Sequence, residues 1–269
     1  MKRVRQILKF SLLLAALSPA ICLGDTITLD DFSTGLTFAG GKFFNSSNQQ
    51  VTAAGNTYTP WGGNGGGMLQ VNPGITARWT DTDTTNGILG DTRSAVVTNA
   101  SGISRSSISM LGGTNGVANI NSPVANVMCL TCFAYSFAPI DVALRHILII
   151  NFTALDATAR GNLQARMTLS DGINSAVATF STATAVIGSN RFDFRGAANW
   201  GSLNQYAVTS AMIEFTSTTN GVDFVVDSLL FSTNPEPGSF AVLALGLIAF
   251  AGIRTYRRRA EKLNEQQSD

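Results

Sequence analysis

The pattern of apolar and polar positions between residues 25 and 233 has the two-residue period of β-strands rather than the longer period of helices. Short alternating or β-branched runs follow one another, separated by Gly, Asn, Asp and Pro, which favour turns. Such runs, repeating roughly every 10–15 residues, are typical of an all-β sandwich or jelly roll. The predicted strands cover residues 26–32, 37–44, 75–80, 94–98, 106–111, 127–137, 143–152, 163–170, 176–180, 208–215 and 222–230.

Two kinds of segment make this prediction more specific. Asp171-Gly172 and Asn220-Gly221 are dipeptides typical of hairpin turns. The segment 143–152 is apolar nearly throughout, which predicts a central strand buried on both faces. We therefore expect residues 25–233 to form one jelly-roll-like β-sandwich.

The first 24 residues have the three parts of a secretory signal peptide. A basic start leads into an apolar run over residues 10–17, and small residues follow. The apolar run is too short to make a good membrane span. Cleavage after Gly24 leaves the small residues Cys22 and Gly24 at positions −3 and −1, and cleavage after Ala20 is the alternative.

The other terminal segment predicts a transmembrane helix over residues 238–256. Residues 238–253 carry no charge, and as a helix they would span roughly 24 Å. Arg254 and Tyr256 can extend this span by reaching the interface. The basic stop consists of Arg254, Arg257, Arg258 and Arg259. By the positive-inside rule, the arginines stay in the cytoplasm and the β domain lies outside.

The tripeptide Pro235-Glu236-Pro237, followed by an apolar helix and an arginine cluster, resembles the PEP-CTERM protein-sorting signal. This resemblance implies an exported protein of a Gram-negative bacterium, with exosortase, a membrane transpeptidase, as a partner that recognises Pro235, Glu236 and Pro237. It also implies a precursor anchored in the inner membrane and facing the periplasm, destined for the cell surface or the extracellular matrix. The two prolines keep this segment extended and outside the helix. The chain then divides into a signal peptide (1–24), an ectodomain (25–233) and a sorting signal (234–269).

The stretch over residues 191–231 is similar to the end of the β-sandwich domains common in PEP-CTERM proteins. Those domains resemble jelly-roll carbohydrate-binding modules. The segment 88–93 fits the same likeness. The resemblance implies a possible role in binding exopolysaccharide.

Charge excludes two classes of protein. Charged residues make up 13% of the chain, about half the usual share in a globular protein. Residues 25–234 hold nine Lys and Arg against thirteen Asp and Glu. A domain without an excess of basic residues is not a nucleic-acid binder, and its low charge is not that of a disordered chain.

Residues able to do chemistry are few. His146 is the only histidine, lies on a predicted strand and belongs to no triad signature, so a structural role is favoured. A glycosidase would need a pair of aspartates, and their spacing selects no pair. The candidates are Asp30, Asp31, Asp81, Asp83, Asp223 and Asp227.

Cys129 and Cys132 form a candidate disulfide. An oxidising compartment favours it. Residues three apart on a strand face opposite sides, so the bond can close only if residues 130–131 make a turn. Both states of the cysteines stay open at this point.

Calcium is the one metal that the sequence suggests, and no other cofactor is expected. Asp81 and Asp83 supply oxygen ligands in one short segment. Asp31 and Asp227 form a second candidate pair, because the first and last strands of a jelly roll often lie side by side. The alternative for both pairs is a solvated turn.

Four aromatic residues are candidates for stacking on sugar rings. Tyr58, Trp61, Trp79 and Trp200 lie in or beside segments rich in Gly, Asn and Thr. The alternative is that they are buried and anchor loops.

The leading interpretation is an exported, non-enzymatic surface protein that binds exopolysaccharide. A structural or adhesive protein with protein partners, and a hydrolase with a carboxylate site, are the alternatives.

Overall fold

The computed structural model describes residues 25–52, 55–61, 66–83, 86–99, 104–113, 116–122 and 130–233. Thr26–Ser232 forms one compact unit. The predicted signal peptide, the sorting tripeptide Pro235–Pro237, the helix 238–256 and its four arginines lie outside the described residues. Within the described part of the chain, no helix has the length and apolar character needed to cross a membrane.

The described residues form an all-β sandwich of two antiparallel sheets. Sheet A has the strand order β14-β11-β16-β9-β8-β5-β4, and β1 also pairs with β16. Sheet B has the order β13-β12-β15-β10-β7-β6-β2-β3. The strands are β1 Thr26–Asp30, β2 Lys42–Asn45, β3 Gln50–Val51, β4 Thr57–Trp61, β5 Gly66–Val71, β6 Ile75–Thr82, β7 Thr92–Asn99, β8 Ser106–Leu111, β9 Val117–Ser122, β10 Thr131–Ile140, β11 Ile147–Leu155, β12 Leu163–Ser170, β13 Ser175–Ser181, β14 Gly188–Asp193, β15 Val208–Ser217 and β16 Val222–Ser232.

Alternation of side chains explains how these strands make a sandwich. In β6, Ala77, Trp79 and Asp81 are buried, whereas Arg78 and Thr80 between them are exposed. Side chains on successive residues of a strand point to opposite faces, so one face of each sheet fills the core between the sheets. The other face of each sheet is left for solvent or a ligand.

The sequence located most strands. β8 and β12 have the predicted bounds, and the two predicted turns connect β12 with β13 and β15 with β16. Gly172 and Gly221 adopt φ values of +90° and +72° there, a region that favours glycine. β3, β4, β5, β9 and β14 were not predicted. A short helix, α1 (Ala157–Asn162), joins β11 to β12.

The segment 143–152 was placed incorrectly. Its strand, β11, begins at Ile147 and lies next to the edge of sheet A, between β14 and β16. Ile147–Ile150 are nevertheless buried on both faces, as predicted. The apolar run correctly predicted burial. It could not predict the position of the strand in the sheet, because buried strands next to an edge strand and at the centre of a sheet have the same apolar pattern.

Candidate functional site

A groove of about 560 Å³ lies on the outer face of sheet A. It is open to solvent and combines uncharged polar, acidic and apolar side chains. Its lining residues are Met68, Ser107, Ser109, Asn119, Asn121, Ala154, Leu155, Asp156, Ile187, Asp223, Phe224 and Val225.

Strand register arranges the groove in two rows across the sheet. In the first row, Asn121 of β9 lies between Ser107 of β8 and Asp223 of β16. In the second, Asn119 lies between Ser109 and Val225. Neighbouring strands are roughly 4.8 Å apart, so the first row presents a hydrogen-bonding group on each of three successive strands and the second row on two.

The second row of the groove continues into apolar residues at both of its ends. Ser109 of β8 pairs with Met68 of β5, and Ala154 of β11 pairs with Val225. The second row therefore carries apolar groups at both ends, with Ser109 and Asn119 between them. A ligand lying along this row would meet apolar surface and polar groups in turn.

Two carboxylates belong to the groove. Asp223 is on β16, and Asp156 precedes α1, where its side chain accepts a hydrogen bond from the backbone of Ala159. The backbone N–H of Asp156 donates to the carbonyl of Asp223 over 3.1 Å. Burial raises the pKa of Asp223, and the charge of Asp156 raises it further. No basic side chain is among the described residues that line the groove.

Trp61 lies on the same outer face, at the edge strand β4. It pairs with Gly66 of β5, and its neighbour in the alternation, Thr59, pairs with the groove residue Met68. A Cβ atom at Gly66 would approach the indole to 3.3 Å, so the ring lies over this glycine. The side chain remains 38% exposed. Glycan stacking by Trp61 stays a prediction.

The prediction that Trp79 stacks on a sugar is wrong, because its side chain is buried. Tyr58 is half-buried, and its stacking on a sugar stays a prediction. Trp79 is only 4% exposed, and its indole N–H donates to Asp81 over 2.8 Å. The Tyr58 hydroxyl donates to the carbonyl of Leu36 over 2.8 Å, and its ring packs against the partly buried ring of Phe38. Both side chains lie on the inner face of their strands. Nearness to Gly, Asn and Thr in the sequence does not tell which face of a strand a side chain occupies.

Trp200 is half-buried, with its ring 5.4 Å from that of Phe194. It lies in a short 3-10 helix, Trp200–Ser202, between β14 and β15, and does not line the groove. The four candidate aromatics therefore do not share one surface. Only Trp61 is on the groove face.

A buried ion-pair network occupies the core. The Arg93 guanidinium donates to Asp30 over 2.8 Å and to Asp81 over 3.0 Å, and all three side chains are fully buried. Tyr135 donates its hydroxyl to Asp30 over 2.9 Å. Asp30 is on β1 of sheet A, whereas Arg93 and Asp81 are on β7 and β6 of sheet B, so the network joins the two sheets.

Burial is the largest influence on the pKa of Asp30 and on that of Tyr135. It raises the pKa of Asp30, although Arg93 opposes the shift. Burial also raises the pKa of Tyr135, and the charge of Asp30 adds to the shift. Burial alone would lower the pKa of Arg93, but Asp30 and Asp81 reverse this, so its pKa ends above the usual value. The guanidinium therefore stays charged, as a buried cation with two anionic partners must.

Calcium at Asp81 and Asp83 stays a prediction, although both carboxylates have hydrogen-bond donors within the protein. Asp81 uses one oxygen for Thr37 and the other for Trp79 and Arg93. Asp83 accepts hydrogen bonds from the Thr34 hydroxyl and from the backbone N–H of Ile88. Each carboxylate oxygen of these two residues therefore already accepts at least one hydrogen bond from a protein donor.

The first and last strands lie side by side, as the jelly-roll likeness implied, because β1 pairs with β16. Asp31 directly follows β1, and Asp227 is on β16. Asp31 accepts a hydrogen bond from the backbone N–H of Ser33, and Asp227 accepts one from Ser228. Across the described ranges, no group of three His, Cys, Asp or Glu side chains could hold a metal ion. Calcium at this pair stays a prediction.

Cys132 is disulfide-bonded. Cys129 lies outside the described residues, so the predicted pairing of the two stays a prediction.

His146 comes just before β11 and is half-buried, and it does not line the groove. Neither of its ring nitrogens has a hydrogen-bond partner among the described residues.

Sequence reasoning missed most of the groove. Ser107, Ser109, Asn119, Asn121 and Asp156 were not candidates. A signal was present in residues 118–121, where apolar and polar residues alternate, but β9 was not predicted as a strand. Of the six aspartates considered as a catalytic pair, the groove contains Asp223 alone.

Comparison with known proteins adds little beyond the fold. No family model matches the chain, and no curated protein matches it. Among solved structures, it is similar to the Family 11 Carbohydrate-Binding Module of the cellulosomal cellulase Lic26A-Cel5E of Clostridium thermocellum, at 12% identity and a TM-score of 0.32, over 79% of this chain and 96% of that one. The xylan-binding module CBM15 matches at 11% identity and a TM-score of 0.33, over 59% of this chain and 95% of the module.

Larger proteins also match in part. Xylanase10C from Cellvibrio japonicus matches at 10% identity and a TM-score of 0.33, over 53% of this chain. The chain covers only 27% of that xylanase and 22% of PfGH50B. At these TM-scores the likeness carries no argument about function, which has to come from the groove itself.

Proposed function

We propose that the β-sandwich binds a polysaccharide chain in the groove of sheet A, as part of an exported surface or matrix protein. The observation that carries this proposal is the groove's lining of Ser107, Ser109, Asn119 and Asn121, open to solvent and flanked by apolar side chains. Hydroxyls and amides both donate and accept hydrogen bonds, which matches the hydroxyl groups of sugars. Met68, Val225 and the exposed indole of Trp61 supply apolar surface for the C–H faces of sugar rings.

The charge of the groove narrows the ligand class. Asp156 and Asp223 contribute negative charge, and no described lining residue opposes it. A polymer rich in uronate, sulfate or phosphate would be repelled, since like charges brought together without a counter-charge cost free energy. We therefore expect a neutral polysaccharide.

The experiment is affinity electrophoresis against a panel of neutral and acidic polysaccharides. Replacing both Asn119 and Asn121 with Ala should weaken binding of a neutral polymer roughly 10- to 100-fold, because two hydrogen-bonding groups are lost. Gln164→Ala is the matched control, because it removes an exposed amide from the outer strand face of sheet B. If both variants bind as the unsubstituted chain does, the groove is not the site. If no polysaccharide binds at all, a structural or adhesive role with protein partners takes precedence.

The tail supplies the second half of the proposal. Pro235-Glu236-Pro237, the apolar segment and the arginines would direct the chain to exosortase and so to the surface or matrix. Glu236→Gln should make the uncut, membrane-bound form accumulate, as followed by immunodetection of the two chain ends. Glu261→Gln, beyond the arginines, is the control. Equal processing of both variants would contradict recognition of the tripeptide.

Hydrolysis is a second candidate, favoured by one observation. Asp223 has a raised pKa beside a second carboxylate, as a general acid in a glycosidase does. A hydrolase would release reducing ends from the bound polymer, and Asp223→Asn would abolish this release while leaving most of the binding. If the domain binds a polymer but releases no reducing ends, the hydrolase is rejected and polysaccharide binding remains as the function.

A further inference from the structure

One end of the sandwich gathers both ends of the described domain. Thr26 pairs with Ser232, and Ser232 pairs with Ile147, the first residue of β11. The connection 141–146, from β10 to β11, therefore lies at this end. So do the turn 171–174 and the connection 194–207, because Ser170 pairs with Ser210 near the start of β15. We call this region, with Asp25 and Thr233, the exit end.

The exit end displays the most exposed large apolar side chains of the described residues. Ile173 is 92% exposed, Tyr206 is 73% exposed and Leu144 is 65% exposed. Each belongs to a different one of the three connections. Several exposed apolar side chains at one end of a domain make that end a candidate for contact with a partner.

Hydrogen bonds fix these connections to one another. The carboxylate of Asp171 accepts hydrogen bonds from the backbone N–H groups of Asn174 and Ile173, over 2.7 and 2.8 Å, and from that of Asn204 over 2.7 Å. The backbone N–H of Val142 donates to the carbonyl of Gln205 over 2.8 Å. The three apolar side chains are thus carried on loops that are tied together.

The same bonds keep Asp171 charged. Hydrogen bonds from the backbone of Asn174, Asn204 and Ile173 lower the pKa of Asp171 to about 2. The carboxylate therefore holds the loops together at any pH that a cell envelope meets.

The path of the chain indicates what covers this surface. The described residues end at Thr233, and residues 234–237 separate it from the predicted membrane helix 238–256. From Thr233 to Gly238 the chain spans at most roughly 18 Å, so a bilayer that holds the helix lies within that distance of the exit end. A short tether gives an effective concentration in the millimolar range, at which a few side chains suffice for contact. Tyrosine and aliphatic side chains are the types that enter the membrane interface.

We propose that the exit end rests on the lipid surface of the periplasmic leaflet while the tail is attached, with Leu144, Ile173 and Tyr206 among the lipid headgroups. This inference depends on the membrane-anchored tail of the proposed function and is independent of polysaccharide binding. The contact would hold the tripeptide Pro235–Pro237 at the membrane surface, where a membrane enzyme can reach it. Removal of the tail would release the contact, because three side chains without a tether bind lipid weakly.

The test uses the full chain in phosphatidylcholine and phosphatidylglycerol nanodiscs, with and without brominated acyl chains that quench tryptophan at short range. Ile173→Trp places a reporter at the exit end. Val186→Trp is the matched control, because Val186 is also exposed but lies at the opposite end, between β13 and β14. The unsubstituted chain, with its own three tryptophans, gives the background. We expect brominated lipid to quench the added fluorescence at position 173 and to leave that at position 186 unchanged.

Equal fluorescence at both positions, in a chain that floats with lipid, would overturn the proposal while leaving the membrane tail intact. Quenching that appears only with two chains in each disc would also overturn it, in favour of a second copy of this chain. Failure of the full chain to float with lipid would remove the anchored tail and this inference together. A polysaccharide-binding assay on the same preparation tests the groove proposal independently of the lipid contact.

Discussion

The core and the groove each place an aspartate close to a second aspartate, yet the two pairs meet different surroundings. Asp30 and Asp81 share the guanidinium of Arg93 and are fully buried. Asp156 and Asp223 line an open groove in which no described residue supplies a positive charge. Burial raises the pKa of both Asp30 and Asp223, but Arg93 opposes the shift at Asp30, whereas Asp156 reinforces it at Asp223.

This difference separates a structural carboxylate from one that is available to a ligand. In the core, every accepting oxygen of Asp81 already has a donor within the protein, so the pair joins the two sheets and has nothing left to bind. In the groove, Asp223 faces solvent and can accept hydrogen bonds from sugar hydroxyls. A perturbed pKa alone does not tell the two cases apart, because burial raises it in both.

The largest effect is expected for Arg93→Met. The substitution leaves Asp30 and Asp81 buried without a cation, and removing one partner of a buried pair costs about 3–5 kcal/mol of the free energy of unfolding. Denaturation by urea at neutral pH measures it. Arg195→Met is the control, because it removes an exposed ion pair with Asp193, which contributes less than about 1 kcal/mol. Similar losses in both variants would contradict the structural role of the core network.

Trp79→Ala should mainly lower the stability of the domain, whereas Trp61→Ala should mainly weaken its binding of polysaccharide. Trp79 is buried, so its loss leaves a cavity and should lower the free energy of unfolding by about 3–5 kcal/mol. Trp61 is exposed on the groove face, so its loss should change the free energy of unfolding by less than about 1 kcal/mol. Trp61→Ala should instead weaken polysaccharide binding roughly fivefold to tenfold. Urea denaturation and affinity electrophoresis on both variants give the two readings, and unaltered binding by Trp61→Ala would remove this residue from the site.

The smallest effect is expected for Asp223→Asn, and it depends on pH. Because the folded protein raises the pKa of Asp223, its charged form is disfavoured by folding, and the cost appears as the pH rises through the usual aspartate pKa. The variant should therefore be more stable at pH 7, by less than about 1 kcal/mol after screening by solvent. At pH 3 both side chains are neutral, and the difference should vanish. Thermal unfolding at the two pH values checks the sign, and a destabilised variant at pH 7 would contradict it.

The sequence predicted more of the fold than of the site. Strands with a clear apolar face, such as β8 and β12, were found with their bounds, because alternation is a local property. β5 was missed because its first two residues are glycines, Gly66 and Gly67, which have no side chains to alternate. The groove was missed because its polar residues come from three strands and one connection, and no short motif contains them.

By itself, the sequence determined the β class of the domain, its two glycine turns and its small excess of acidic over basic residues. These follow from the order of residues along the chain, through local conformational preference and composition. Only the tertiary structure decided which aspartates are buried. Asp81 lies opposite Arg93 because β6 pairs with β7, and Asp30 reaches the same guanidinium from the other sheet. Such contacts depend on strand register and on the packing of two sheets, and neither is a local property of the chain.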